Sequence, residues 1–332
     1  MKRVGRYRRK KQKKVLIIGS LSLLLCLCVG YAAFSTNLSI TAKGNIKLKN
    51  AANMLREKVV ENGEGLYNDK YEEDHYVYKG LNPDNYILFN NELWRIISVE
   101  NDETLKIIRN ESIGEIPYDM AGSRSSLTNT GTYCTSDNGC NAYGVTNDFG
   151  GMGNVLKDST LNLYLNGEYY NKLSNESKSY IIEHDFENGN CGGSGSLDNK
   201  IYIDEAHNLE KKIIWHGKIG LMNLTDFLRS TLNTSCDSIY SGWHDGYPCH
   251  IDNYLFKDGE IISTMSSSDT LPNYLWSVNN VLNTGGICTA GNNCGYTDIN
   301  QSIYPVIYLK DTIYLNGDGT ESNPYQIHDI LS

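Results

Sequence analysis

Residues Val15 to Phe34, VLIIGSLSLLLCLCVGYAAF, run for twenty positions without a charge directly behind MKRVGRYRRKKQKK. At about 1.5 Å of helical rise per residue, such a run crosses a hydrocarbon layer roughly 30 Å thick. The fourteen residues ahead of it carry nine Lys or Arg and no acid, and positive flanks stay on the cytoplasmic side. The sequence therefore predicts a single-pass protein of the cell membrane. It has a basic cytoplasmic head over 1–14, a transmembrane helix or signal anchor over 15–34, a juxtamembrane segment with a short helix over 35–75, and an extracellular domain over 76–332. Gly30 and Ala32 are small enough for signal peptidase, so the anchor is either retained or cleaved, and retention is the adopted expectation. Leu25 ahead of Cys26 lacks the small side chain that lipidation requires.

Charge narrows the partners. Every acid lies beyond Phe34, where 21 Lys and Arg face 39 Asp and Glu. A surface that acidic repels phosphates, which excludes nucleic acid and anionic headgroups as partners of the domain. The membrane partner is the bilayer itself, through Val15 to Phe34.

An outside location is oxidising and gives the cysteines a meaning. Cys26 and Cys28 sit in the apolar run as small hydrophobes. Cys134 and Cys140 bracket TSDNG, Cys236 and Cys249 enclose DSIYSGWHDGYP, and Cys288 and Cys294 bracket TAGNN. Short polar loops with Gly and Asn turn back on themselves and bring their ends within the roughly 4.4 to 6.8 Å Cα spacing of a disulfide. Three local bridges are expected, with Cys191 left over. The alternative is that some of the seven are free thiols, since connectivity is not fixed by sequence.

Leu48, Ala52, Leu55 and Val59 recur on one helical face, so 46–60 reads as a short amphipathic helix ended by Asn62-Gly63-Glu64-Gly65. Tyr86-Ile87-Leu88-Phe89 and Leu93 to Val99 flank Asn90-Asn91 as a hairpin, and Thr104 to Arg109 supplies a third strand of an antiparallel meander. Gly114 to Gly153 is poor in apolar residues and reads as a long surface loop. Ser159 to Tyr169 is helical in pattern, and Ser174 caps a second helix. Lys218 to Leu224 reads as a strand before a helical turn at Thr225. Tyr274 to Val278 and Ile303 to Leu309 read as buried strands, and Thr312 to Ile327 as a strand, a turn and a final edge strand. Trp94, Trp276, Tyr308 and Leu309 read as core. The fold class is α+β: an antiparallel-sheet domain with a few helices behind one membrane helix.

Taken in order, several segments resemble a family of exported surface proteins of Gram-positive bacteria. They include Tyr78 to Tyr86 leading into Leu93-Trp94-Arg95-Ile96-Ile97, Ile107 to Gly114, Tyr169 to Ser174, Lys218 to Met222, and the Cys236 and Cys249 loop. Leu275-Trp276-Ser277, Tyr304 to Leu309 and Gly317-Asp318-Gly319-Thr320 before Asn323-Pro324-Tyr325 complete the set. The resemblance covers most of the domain and implies export behind a single span, with no assigned activity. Mid-chain helices followed by a Trp strand and a Val-Ile-Tyr strand also look like the C-type-lectin-like and formylglycine-enzyme superfold. Family members often carry Tyr-Gly where this chain has Thr225-Asp226-Phe227-Leu228. The calcium-and-sugar ligand triplets of true C-type lectins are absent.

Thr231-Leu232-Asn233-Thr234-Ser235-Cys236 is similar to the nucleophile strand of sortases but is one residue too long, and a one-residue slip turns a side chain to the opposite face of a strand. His244, Cys249 and His250 with Cys236 offer zinc-type ligands at a spacing that fits no common finger. Asn316 to Glu321 offers oxygens for calcium without the EF-hand spacing, and a hairpin turn explains it without metal. Gly192 to Ser196 lacks the Lys of a phosphate loop. Tyr outnumbers Phe by 24 to six, and Tyr serves recognition surfaces as readily as half-buried strand positions. The sequence thus assigns no catalytic residue, cofactor or metal. It predicts a non-enzymatic binding or adhesion-type surface domain for an unidentified glycan, peptide or envelope protein. The alternative is an envelope enzyme using Cys236 or a metal site.

Overall fold

The computed structural model describes residues 49–124, 132–135, 137–189, 200–240, 248–268, 272–279, 286–288 and 295–330. The anchor expected over Val15 to Phe34 lies outside them. Among the described residues no helix is long and apolar enough to cross a membrane. They form a mixed α+β unit, mostly sheet with few helices, and the compact unit begins at Lys49, ahead of Tyr76.

Asn50 caps α1 (Ala51–Arg56), its side chain accepting from the Asn53 N–H, and the helix buries Ala51, Ala52 and Leu55 in the main core. This is the core segment of the helix expected over 46–60. Strands β1 (Gly65–Asn68) and β2 (Tyr76–Lys79) follow as a hairpin. The predicted meander is present as β3 (Tyr86–Phe89), β4 (Glu92–Val99) and β5 (Leu105–Arg109). Asn90 and Asn91 turn the first hairpin with φ of 53° and 61°, the left-handed values its two-residue loop demands.

Strand β6 (Glu115–Pro117) opens the stretch expected to be a surface loop. Part of that stretch is instead buried: Tyr133, Ala142 and Phe149, with Val155 just beyond it, build a small second core around Cys134 and Cys140, and Tyr133 stacks on Phe149 at 4.8 Å. Ser159 caps α2 (Thr160–Leu163), which runs through a π-helical turn, Tyr164–Tyr169, into α3 (Tyr170–Lys172). Ser174 caps α4 (Asn175–Tyr180) by accepting from the Ser177 N–H at 3.0 Å.

Short strands and helices then alternate: β7 (Ile181–Ile182), β8 (His184–Glu187), β9 (Lys200–Tyr202), α5 (Ile203–Glu210), β10 (Ile214–Gly217), β11 (Ile219–Gly220), α6 (Leu224–Arg229) and β12 (Ser238–Tyr240). The strand expected over Lys218 to Leu224 is thus only two residues long, because the Asn223 and Asp226 capping box starts α6 at once. Strands β13 (Ile261–Ser267), β14 (Leu275–Asn279), β15 (Gly286–Cys288) and β16 (Asn300–Ser302) form a five-stranded sheet with β6.

The chain ends with β17 (Val306–Leu309), β18 (Ile313–Asn316) and β19 (Tyr325–Asp329). The main ten-stranded sheet runs β11-β17-β5-β4-β3-β19-β18, with β1, β2 and β7 attached beside it. The last strand is therefore not an edge: β19 lies parallel to β3, with β18 outside it. Gly319 permits the turn between them. Its φ is +85°, and a Cβ there would meet the Asp84 carbonyl oxygen at 2.4 Å. Trp94, Trp276, Tyr308 and Leu309 are buried as expected.

Candidate functional site

A cleft of about 480 Å³ opens between the β1–β2 hairpin and the turn that follows α6. Its walls carry Tyr67, Tyr71, Lys70 and Lys79 on one side and the segment 231–234 on the other, with Arg229 at its floor and Cys236 in its lining. Hairpin register explains the first wall. Tyr67 pairs with Val77, so Lys79, two residues on, falls on the same face, diagonal to the ring. The Lys79 ammonium lies 5.5 Å from the Tyr67 ring centre, and Lys70 lies 4.8 Å from that of Tyr71. Burial holds the Lys79 pKa below the usual lysine range.

Beneath Arg229 runs a buried chain of six ionisable groups of alternating sign. Lys106 Nζ donates to Asp226 Oδ2 at 2.6 Å. Asp226 Oδ1 lies 3.6 Å from Arg229, whose Nη1 donates to Asp69 Oδ2 at 2.5 Å. Asp69 meets His75 Nδ1 at 2.8 Å, and His75 Nε2 lies 3.4 Å from Glu100. Local structure sets each contact: Asp226 is the third residue of α6 and also accepts the Asn223 N–H, while Arg229 ends the same helix one turn later. Lys106 reaches inward from β5.

Neighbours outweigh burial at His75, Asp69, Glu100, Lys106 and Arg229. Burial opposes the imidazolium of His75, yet Glu100 and the Asp69 hydrogen bond raise its pKa to about 9. Burial likewise works against the Asp69 and Glu100 carboxylates, but His75 beside both, and Arg229 beside Asp69, hold them well below the usual carboxylate range. Lys106 and Arg229 are raised in the same way by Asp226 and Asp69. A proton-transfer catalyst wants a pKa near the working pH, whereas His75, Asp69, Glu100, Lys106 and Arg229 are held in their charged forms. The arrangement fixes the Arg229 guanidinium below the cleft.

The predicted cysteines divide. Cys134–Cys140 and Cys236–Cys249 are disulfides, with Cα atoms 5.2 and 4.9 Å apart. The first pins the small core and the second closes one wall of the cleft. Cys191, Cys294 and the side chain of Cys288 lie outside the described residues. Thr231 to Cys236 forms a turn, not a strand: the Asn233 N–H bonds to Thr231 Oγ1 at 3.0 Å and the Cys236 N–H to the Asn233 carbonyl at 3.0 Å. His244 lies outside the described residues, and His250 packs on Phe256. Asp318 spends its carboxylate on the backbone N–H and hydroxyl of Thr320 within the final hairpin turn. Among the described residues the clustered set with the chemistry to hold a metal is Glu187, His207 and Glu210, none of which sequence reasoning singled out.

Comparison with known proteins finds no matching family model, no matching curated protein and no matching solved structure.

Proposed function

We propose that this chain is a membrane-anchored extracellular binding domain, without catalytic activity, that takes a glycan in the cleft above Arg229. The observation that carries this reading is the lining of that cleft. Two half-buried tyrosine rings, each with a lysine ammonium against it, bring aromatic surface suited to a sugar ring, and the lysines, Asn233 and the threonines beside them supply hydrogen-bond donors and acceptors for hydroxyl, amide or carboxylate substituents. The buried ion chain keeps that floor from reorganising, which lowers the cost of ordering on binding. Two disulfides suit an oxidising exterior. The disulfide at Cys236 leaves that sulfur without the thiolate a nucleophile requires.

The test is a glycan array probed with the full-length chain in mild detergent, followed by titration of the best ligand. Tyr67→Ala is expected to weaken binding at least tenfold, as losing a stacked ring of about 1.4 kcal/mol does. Absence of any glycan binding, or a Tyr67→Ala chain that binds like the parent, overturns the reading.

A further inference from the structure

Strand β8 ends at Glu187, and α5 carries His207 and Glu210 three residues apart, a spacing that stacks both side chains on one helical face. One ligand atom from each of the three, an imidazole nitrogen and two carboxylate oxygens, lies within 4.8 Å of the others. His207 is only 3% exposed. Its Nε2 faces Glu72 Oε2 at 3.2 Å, which places the proton on Nε2 and the lone pair on Nδ1. That Nδ1 is buried without a hydrogen-bond partner and lies 3.8 Å from Glu187 Oε2. Moving the proton to Nδ1 turns a lone pair toward Glu72, so neither neutral tautomer satisfies both edges of the ring. The unpartnered nitrogen therefore faces the Glu187 carboxyl with nothing between them, the position from which an imidazole ligates a cation.

The rest of the surroundings has the form of a metal centre. Glu210 is fully buried, and its two oxygens accept from the Thr225 and Ser266 hydroxyls, donors that fix its orientation. Glu72 orients His207 from behind, the carboxylate–histidine arrangement that tunes metal-bound imidazoles. The cations nearby are already engaged: Lys106 by Asp226, Arg229 by Asp69 and Asp226, Lys211 by Glu72.

We propose that Glu187, His207 and Glu210 bind a divalent transition-metal cation, Zn²⁺ or Mn²⁺. One imidazole with two carboxylates suits these ions, and it is too small an oxygen set for Ca²⁺, which takes roughly six to eight. Bonds of about 2.1 Å need ligand atoms roughly 3.4 to 4.2 Å apart, which side-chain torsions of about 1 Å supply. The Glu187 side chain is 21% exposed, so an ion enters from its side and keeps water there.

The experiment uses the full-length chain in mild detergent, stripped with EDTA and titrated with MnCl₂ and, separately, ZnCl₂ by calorimetry. One equivalent is expected to bind, with a rise in unfolding temperature. Electron-spin-echo spectra of the Mn²⁺ form are expected to show one directly bound imidazole nitrogen. Glu187→Gln keeps side-chain volume at a partly exposed position and is expected to weaken binding at least tenfold; Glu72→Gln, which touches no metal, weakens it about 10- to 100-fold. Glu205→Gln, exposed on the same helix, leaves affinity unchanged. The proposal is overturned if the parent chain takes up neither ion at millimolar concentration, if no imidazole coupling appears, or if Glu187→Gln and Glu72→Gln bind like the parent. Glycan binding in the cleft is scored separately, so one result does not decide the other.

Discussion

Replacing Lys106 by Met removes the ammonium from the buried ion chain while keeping most of the side chain's length. The Lys106 and Asp226 side chains are 8% and 2% exposed and meet at 2.6 Å. At an effective dielectric near 20, opposite charges about 4 Å apart attract by about 4 kcal/mol, and breaking a buried pair from one side costs about 3 to 5 kcal/mol. Lys106→Met belongs at the lower end, because Asp226 keeps Arg229 and its N–H donor from Asn223. Asp226→Asn belongs at the upper end, since it strands Lys106 and takes one carboxylate from Arg229. For a unit running from Lys49 to Ser332, 3 kcal/mol lowers the unfolding temperature by about 5 °C. The double variant is expected to lose at least about 2 kcal/mol less than the two single losses added. Urea unfolding followed by circular dichroism measures all four chains, and low and high salt should agree because the pair is shielded from solvent. A Lys106→Met chain within about 1 kcal/mol of the parent, or a coupling near zero, refutes the claim that this pair holds β5 to α6.

Stability should fall as the solution is made alkaline. His75 moves from its ordinary 6.5 to about 9 on folding, so its contribution is complete below 6.5 and is lost as pH rises through about 9, a change on the order of 3 kcal/mol. In the EDTA-stripped chain Glu187, raised to about 8 by burial and then by Glu210, adds a loss of the same sign. The readout is therefore the difference between the parent and His75→Gln in urea midpoints across that range, and equal slopes for both chains would falsify the assignment. Alkylation under denaturing, non-reducing conditions should leave Cys134, Cys140, Cys236 and Cys249 unlabelled. Cys236→Ala with Cys249→Ala should cost about 3 kcal/mol for the thirteen-residue separation it opens; labelling of Cys236 in the parent chain contradicts this.

The β3–β5 meander was legible because its signals are local: alternating apolar residues, a two-Asn turn and connections too short for crossovers. The cap at Ser174 and the buried strand at Val306 to Leu309 were legible for the same reason. What failed was whatever depends on distant partners. The last strand reads as an edge from its own residues, and only its pairing with Ile87 and Leu88, more than two hundred positions earlier, places it inside. The ion chain joins residues from Asp69 to Arg229, and its one local sign was a lysine among the buried apolar residues Leu105, Ile107 and Ile108 of β5. Strand β13 escaped because four of its six buried positions, Ser263, Thr264, Ser266 and Ser267, are hydroxyls rather than hydrocarbons; Ser263 and Thr264 are satisfied by Gln301 and the Trp276 carbonyl. Cysteines read better than catalysts, since a six-residue separation constrains geometry and a lone histidine does not.

The three strands of the early meander receive their outer neighbours from the far end of the polypeptide, β17 alongside β5 and β19 alongside β3. Until β17 and β19 have been synthesised, both flanks of that seed stand bare, and unpaired flanks recruit other chains. Docking of the seed thus waits on residues roughly two hundred positions or more downstream, and a chain cut short before Val306 is a candidate for clumping rather than a smaller working module.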